Sequence, residues 1–193
     1  AEMIKELDDK GFMFSSANSI NIGRLIPQVA YYWYAYCQLV KDGKIKVGDK
    51  INFTVPTGNF GNILAGYFAK KMGLPVNKFV CASNSNKVLY DFFKTGTYDK
   101  NREFILTTSP SMDILISSNL ERLVCMLTSQ EETAKLMKSL AEKGEYSMTA
   151  KADDIVGEYA DEEETATAIR TMYTNADYVL DTHTSVAYAA YNK

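Results

Sequence analysis

The sequence predicts an α/β fold: an open, mostly parallel sheet with helices on both faces, in three layers. Three observations predict it. Ile51-Asn52-Phe53-Thr54-Val55 and Lys78-Phe79-Val80-Cys81-Ala82 are short runs rich in β-formers, as strands require. Between them Ile63, Leu64, Tyr67 and Phe68 recur at helical spacing, and strands joined through a helix pair in parallel under covering helices. The 193 residues are 46% apolar and 23% charged, an ordinary balance for one packed core.

The elements follow in order. Met3, Ile4 and Leu7 give a weak helical pattern over 2–10, closed by Gly11. Phe12-Met13-Phe14 is a short candidate strand, followed by the polar segment from Ser15 to Asn21. Asn21 is placed to cap a helix over 22–41, marked by Leu25, Ile26, Val29, Ala30 and Trp33, with Pro27 near its start. Tyr31, Tyr32, Trp33, Tyr34 and Tyr36 cluster there. They read as buried rings whose hydroxyls reach polar partners rather than as a stacking platform.

The strand over 51–55 feeds a tight turn over 56–62 and a helix to Met72, stopped by Gly73. After the second strand, Asn84-Ser85-Asn86 is placed to cap a helix over 87–94 that Gly96 ends. Phe104-Ile105-Leu106 reads as a short strand, and helices are expected over 115–128 and 131–142. Asp153 to Glu164 holds seven acids and no base, which reads as a solvated face or mobile loop. A helix over 162–173, a strand over 176–180 and a last helix over 182–191 complete the chain. Residues 1–128 are expected to form a Rossmann-like core, and 129–193 a mostly helical remainder of the same domain.

Composition excludes several classes. With 21 basic and 24 acidic side chains and a net charge of −3, no basic surplus exists to hold nucleic acid. Cys37, Cys81 and Cys125 are odd in number and form no Cys-x-x-Cys pair, so neither a disulfide framework nor a metal site is expected. This fits a reducing, cytoplasmic setting. No apolar run approaches the roughly 20 residues that span a bilayer, and the mixed, charged start reads as no signal peptide.

The strongest chemical signal is Val55-Pro56-Thr57-Gly58-Asn59-Phe60-Gly61-Asn62-Ile63. A strand delivers a glycine-containing turn into a helix start, where amide groups lack partners and the dipole favours an anion. Gly58 and Gly61 remove Cβ atoms from the approach and permit positive φ. It is neither a Walker loop nor the dinucleotide fingerprint. A second candidate is Asn18-Ser19-Ile20-Asn21-Ile22-Gly23-Arg24, in which amide and hydroxyl donors precede an arginine fork suited to phosphate. The sole histidine, His183, is expected to cap and pack at a helix start. Ser109, Ser111 and Asp113 have no nucleophile elbow around them.

These segments together resemble threonine synthase, a pyridoxal-phosphate enzyme of fold type II, the tryptophan-synthase-β-like group. The stretches that carry it are SANSINIGRLIPQ, VPTGNFGNILAGYFAKKMGLPV, TSPSMDILISSNLERL, DEEETATAIR and DTHTSVAYAAY, in family order. The resemblance implies a lyase that turns O-phospho-L-homoserine and water into L-threonine and phosphate. By position it implies that Gly58, Asn59, Phe60, Gly61 and Asn62 hold the cofactor phosphate. It likewise implies that Asn18, Ser19, Asn21 and Arg24 contribute to the substrate-phosphate site. Relatives often carry Asp where Asn62 stands.

The departures matter as much. The family's Schiff-base lysine lies upstream in a Phe-Lys-Asp setting that this sequence does not contain, and Phe93-Lys94-Thr95 falls at the wrong place. A segment near the pyridine ring, past the position of Lys193, is also missing. The chain therefore reads as an internal piece truncated at both ends, with no catalytic residue of its own and inactive in isolation. Missing neighbour strands would leave an exposed sheet edge and invite self-association. Two alternatives stay open on the residues: another fold type II lyase or synthase, and a non-catalytic nucleotide- or anion-binding α/β module.

Overall fold

A computed structural model of the chain describes residues 2–13 and 18–193. Ala1 and residues 14–17 lie outside the described residues, and with them Phe14 of the expected strand and Ser15, Ser16 and Ala17 of the polar segment. At the centre is a parallel sheet in the order β1 (Ile51–Pro56), β2 (Val76–Ser83), β5 (Ile155–Tyr159). Helix α4 (Gly61–Lys71) links β1 to β2, the crossover that parallel neighbours need. A small antiparallel pair, β3 (Thr97–Asp99) and β4 (Glu145–Ser147), stands apart. The other helices are α1 (Glu2–Asp8), α2 (Ile22–Leu25), α3 (Val29–Lys41), α5 (Val88–Thr95), α6 (Leu120–Leu127), α7 (Gln130–Lys143), α8 (Glu162–Ala176) and α9 (Thr182–Tyr191).

Successive strand residues point to opposite faces, and the core divides accordingly. Phe79 and Cys81 of β2 join a large cluster with residues of α3, α4, α5 and α6. Ala82, the next residue, joins Met112, Ala160 and Val186, Ala187 and Ala190 of α9. Both faces of the sheet are thus covered, as a parallel sheet requires.

The large cluster is tight where α4 meets β2. The Tyr32 ring lies edge-on to Phe53 at 4.9 Å and to Phe79 at 6.1 Å. A Cβ on Gly66 would come within 2.6 Å of the Tyr32 ring and 2.7 Å of the Phe79 ring. Helix propensity favours Gly66→Ala by about 1 kcal/mol, whereas overpacking costs about 1–3 kcal/mol. Because both rings are buried, packing should win. The urea midpoint of Gly66→Ala is expected to fall, and a rise would show that the rings can give way.

Several elements differ from the sequence expectations. The helix over 22–41 is broken: a 3-10 turn at Ile26–Gln28 holds Pro27 between α2 and α3, since proline supplies no N–H and cannot sit in a helix interior. The tyrosines of α3 divide by helical period. Tyr32 and Tyr36 are buried and their hydroxyls donate to Asn62 O (2.7 Å) and Asp49 O (3.2 Å). Tyr31 and Tyr34 are exposed.

Asn84 and Asn86 do not cap α5, which has no side-chain cap bond. They bind the loop over 105–113 instead. Asn86 exchanges bonds with both Ile105 N (2.9 Å) and Ile105 O (2.7 Å). A side-chain amide thus takes the place of a strand partner, so 104–106 is not a strand. The expected strand over 176–180 is absent too, because Asp177 turns left-handed (φ 50°) and ends α8. The largest correction is β5. It lies inside the acidic run, with Ile155 and Gly157 buried and three of the run's carboxylates paired with bases from elsewhere: Lys70 to Asp154 (2.7 Å), Lys94 to Glu158 (3.4 Å) and Lys193 to Glu164 (2.6 Å).

Candidate phosphate-binding site

Strand β1 delivers the chain to the site. Thr57 N donates to Ala82 O at 2.9 Å, extending the pairing one residue past β1. The chain then turns through Gly58, Asn59 and Phe60 into α4. The left-handed residue is Phe60 (φ 65°, ψ 0°), and neither Gly58 nor Gly61 has positive φ. This corrects the expectation that the glycines provide that freedom. Left-handed backbone costs a non-glycine residue about 1–2 kcal/mol. The fully buried Phe60 ring, stacked on Phe93 at 6.0 Å, offsets that cost, because burying a Phe side chain contributes about 1.5–3 kcal/mol.

Gly58 is required for another reason. A Cβ there would stand 2.5 Å from Ser111 O and 3.2 Å from Met112 Cα. Ser111 and Met112 therefore press directly on the turn. Asn62 ties the start of α4 back to β1: its Nδ2 donates to Pro56 O (2.8 Å) and its Oδ1 accepts from Ile63 N (2.9 Å).

The N–H groups of Gly58, Asn59, Phe60, Gly61 and Asn62 have no acceptor within the protein among the described residues. The carbonyls of Gly58 and Asn59 are held from the protein side, by Ser117 Oγ (2.8 Å) and Asn119 N (3.0 Å). Tyr98 supports that arrangement, since Ser117 N donates to its hydroxyl at 2.8 Å. Burial pushes the Tyr98 phenol up to about 12, against smaller lowering effects from Ser117 and Arg102.

The five residues of the turn line an open cleft of about 530 Å³. Asn18, Ser19 and Arg24 line the same cleft, so the two segments singled out from sequence, 40 residues apart, meet there. Asn21 does not reach the wall. It caps α2, its Oδ1 accepting from Gly23 N at 2.9 Å. Gln28, Ser111, Met112 and His183 also line the cleft, and sequence reasoning did not place them there. Gln28 had a signal: it stands one helical turn after Arg24, and its Nε2 donates to Arg24 O at 2.6 Å.

His183 is not the cap of α9; Asp181 is, accepting from His183 N (2.9 Å) and Thr184 N (3.2 Å). The imidazole faces the cleft, its Nε2 accepting from Ser111 N at 3.3 Å, with Nδ1 beside Asp181 Oδ1 at 3.3 Å. Of the other polar residues weighed as a nucleophile group, Ser109 is fully buried and bonded to Asn84. Asp113 accepts from Asn84, Asn86 and Thr107. Both are structural.

Hydrogen bonds, first that from the Thr184 hydroxyl, hold the Asp181 carboxyl below its ordinary value. A depressed carboxyl stabilises the fold above its unfolded pKa of about 3.9, and the benefit fades as pH falls through the folded value. Asp181→Ala is expected to cost about 0.5–1 kcal/mol at pH 7, the low end for a cap because the side chain is largely exposed. In urea melts the gap between the two proteins should narrow as pH falls below about 4. A gap as wide at pH 3 as at pH 7 would mean that capping by the carboxylate is not the role of Asp181.

No family model matches the chain. Curated relatives do. Over 187 residues the chain is 46% identical to threonine synthase-like 1 of Homo sapiens, covering 92% of this chain and 25% of that protein. Over 205 residues it is 38% identical to threonine synthase of Schizosaccharomyces pombe, covering 92% and 39%. Among solved structures, the pyridoxal-phosphate-bound threonine synthase of Brucella melitensis superposes with a TM-score of 0.86 at 36% identity, covering 92% of this chain and 39% of that one. Yeast threonine synthase superposes at 0.84 with 37% identity. The chain spans from a quarter to about two fifths of these proteins' lengths. By sequence and by fold alike, the chain is a relative of the threonine synthases and threonine synthase-like proteins, matched along a segment of them.

Proposed function

We propose that this chain is the phosphate-binding part of a threonine synthase. The turn over 58–62 receives the phosphate of pyridoxal phosphate, and Asn18, Ser19, Asn21 and Arg24 contribute to the site for the phosphate of O-phospho-L-homoserine. The reaction of the whole protein is the conversion of that substrate and water to L-threonine and phosphate. One observation carries the reading: the amides of Gly58 through Asn62 have no acceptor among the described residues, at a helix start, on the wall of an open cleft. Amides so placed fit a doubly charged phosphomonoester without a cationic side chain.

When bound, the cofactor supplies an electron sink for the replacement chemistry. The chain's own residues hold and orient. The carbonyl locks on Gly58 and Asn59 keep the amides aimed. Arg24 adds charge on the same wall. Asn21 acts through α2, whose start it caps. None of the residues lining the cleft is a lysine, so the amine needed to anchor the cofactor covalently is not supplied at the described wall. The chain alone is accordingly inactive. Self-association across an open edge of the sheet, at β1 or β5, accompanies this reading.

The test is a titration with pyridoxal 5′-phosphate followed by absorbance, with inorganic phosphate as competitor, alongside a phosphate-release assay on O-phospho-L-homoserine. Saturable, phosphate-competed binding without release is expected. Release at an ordinary enzymatic rate would overturn the inactivity. Failure to bind pyridoxal phosphate, with tight binding of a nucleotide, would favour the non-catalytic module.

A further inference from the structure

We propose that Asn119 and Arg122 form a bracket that couples the two phosphate-binding segments, so that a ligand on one strengthens binding on the other. The proposal rests on the reading of both segments as phosphate sites. Asn119 is fully buried at the start of α6, yet its side chain makes no cap bond to that helix. It reaches outward instead. Its Nδ2 donates to Ser19 O (3.0 Å) and to Asn59 O (2.9 Å), one carbonyl from each segment. Its Oδ1 accepts from Arg122 Nη1, and Arg122 Nη2 donates to Ile20 O at 2.8 Å. A Cβ on Gly61 would lie 3.4 Å from Asn119 Nδ2 and 3.8 Å from Ser19 O, so the segments touch where the bracket sits.

The effect follows from the planar trans peptide, in which a carbonyl and the next residue's N–H point in opposite directions. Pinning Asn59 O inward aims the Phe60 N–H the other way. One side-chain amide holds both Asn59 O and Ser19 O, so the two segments share one ordering event. A ligand that orders the first leaves less ordering for the second. Such linkage is reciprocal and amounts to roughly 5-fold or more in affinity. Arg122 is a positioning residue here: its rigid fork spans Asn119 Oδ1 and Ile20 O together, which a lysine ammonium cannot reproduce.

The test uses the full chain and two probes. Pyridoxine 5′-phosphate, which lacks the aldehyde and cannot condense with an amine, reports on the 58–62 turn by its fluorescence. O-Phospho-L-homoserine reports on the 18–24 segment by calorimetry. In the wild-type chain each ligand at saturation should lower the Kd of the other by about 5-fold or more. Arg122→Lys and Asn119→Ser should reduce that factor below about 2-fold, while Glu121→Gln, on the exposed face of α6, should keep it. Binding of both ligands to the wild type with no mutual effect, or with mutual exclusion, overturns the coupling and leaves the phosphate reading standing. Linkage that survives in Arg122→Lys overturns the bracket. If neither ligand binds the wild type, both the coupling and the reading beneath it are wrong.

Discussion

Gly58→Ala is expected to weaken pyridoxal 5′-phosphate binding by roughly 100-fold, about the loss of one or two charge-assisted hydrogen bonds. The reason is steric. The new methyl would stand 2.5 Å from Ser111 O and 3.2 Å from Met112 Cα, and both obstacles are backbone. Either the turn or the 109–113 segment must move. Ser109 and Asp113 are bound into a network with Asn84, so the turn should yield. Its carbonyls then leave Ser117 and Asn119, and the amides lose their aim. The accompanying loss of stability should stay near the 1–3 kcal/mol of ordinary overpacking, leaving a folded protein. Gly61→Ala is the control, because its methyl meets nothing closer than Asn119 Nδ2 at 3.4 Å among the described residues; its binding should change far less. Absorbance titrations of the three proteins decide it. Equal affinity in Gly58→Ala and wild type would show that the turn is not the cradle.

Phe79→Ala should be the most damaging core change, costing about 3–5 kcal/mol. Phe79 is fully buried in β2, packed between Phe53 (6.1 Å, 20°) and Tyr32 (6.1 Å, 77°) and directly over Gly66. The strand is central and hydrogen-bonded on both sides, so neighbouring backbone cannot collapse into the hole. A domain of this kind has about 5–15 kcal/mol in total, which puts the variant near the limit of folding. The damage reaches the site through Tyr32, whose hydroxyl donates to Asn62 O at 2.7 Å. Urea unfolding should show a lower midpoint with an unchanged slope. A loss below about 1 kcal/mol would mean that the surroundings repack around the cavity.

Residues near one another in the chain made part of this protein legible. The β-rich run over 51–55, the glycine-bearing turn and the apolar period after Ile63 specify strand, turn and helix through local contacts alone. They are the elements found: β1, the turn and α4. The polar run before α2 is equally local, with Asn21 capping as its type and position demand. The expectation of an anion at the 58–62 turn rests on the same local ground, since a helix start leaves its first amides without intrahelical acceptors.

Tertiary structure decided the rest. The acidic run became the third strand because β2 offered it an open edge and because Lys70, Lys94 and Lys193 brought charge from distant segments. Phe60, rather than a glycine, took the left-handed turn because Phe93 and the core hold its ring. Asn119 and Arg122 reached the carbonyls of the two segments, and His183 the cleft, only when α6 and α9 docked. In each case the deciding partner lies tens of residues away, and its contact is worth nothing until the chain has closed the intervening loop. Local pattern therefore specified the amides and the bend, while packing chose the partners that hold the turn's carbonyls on the protein side.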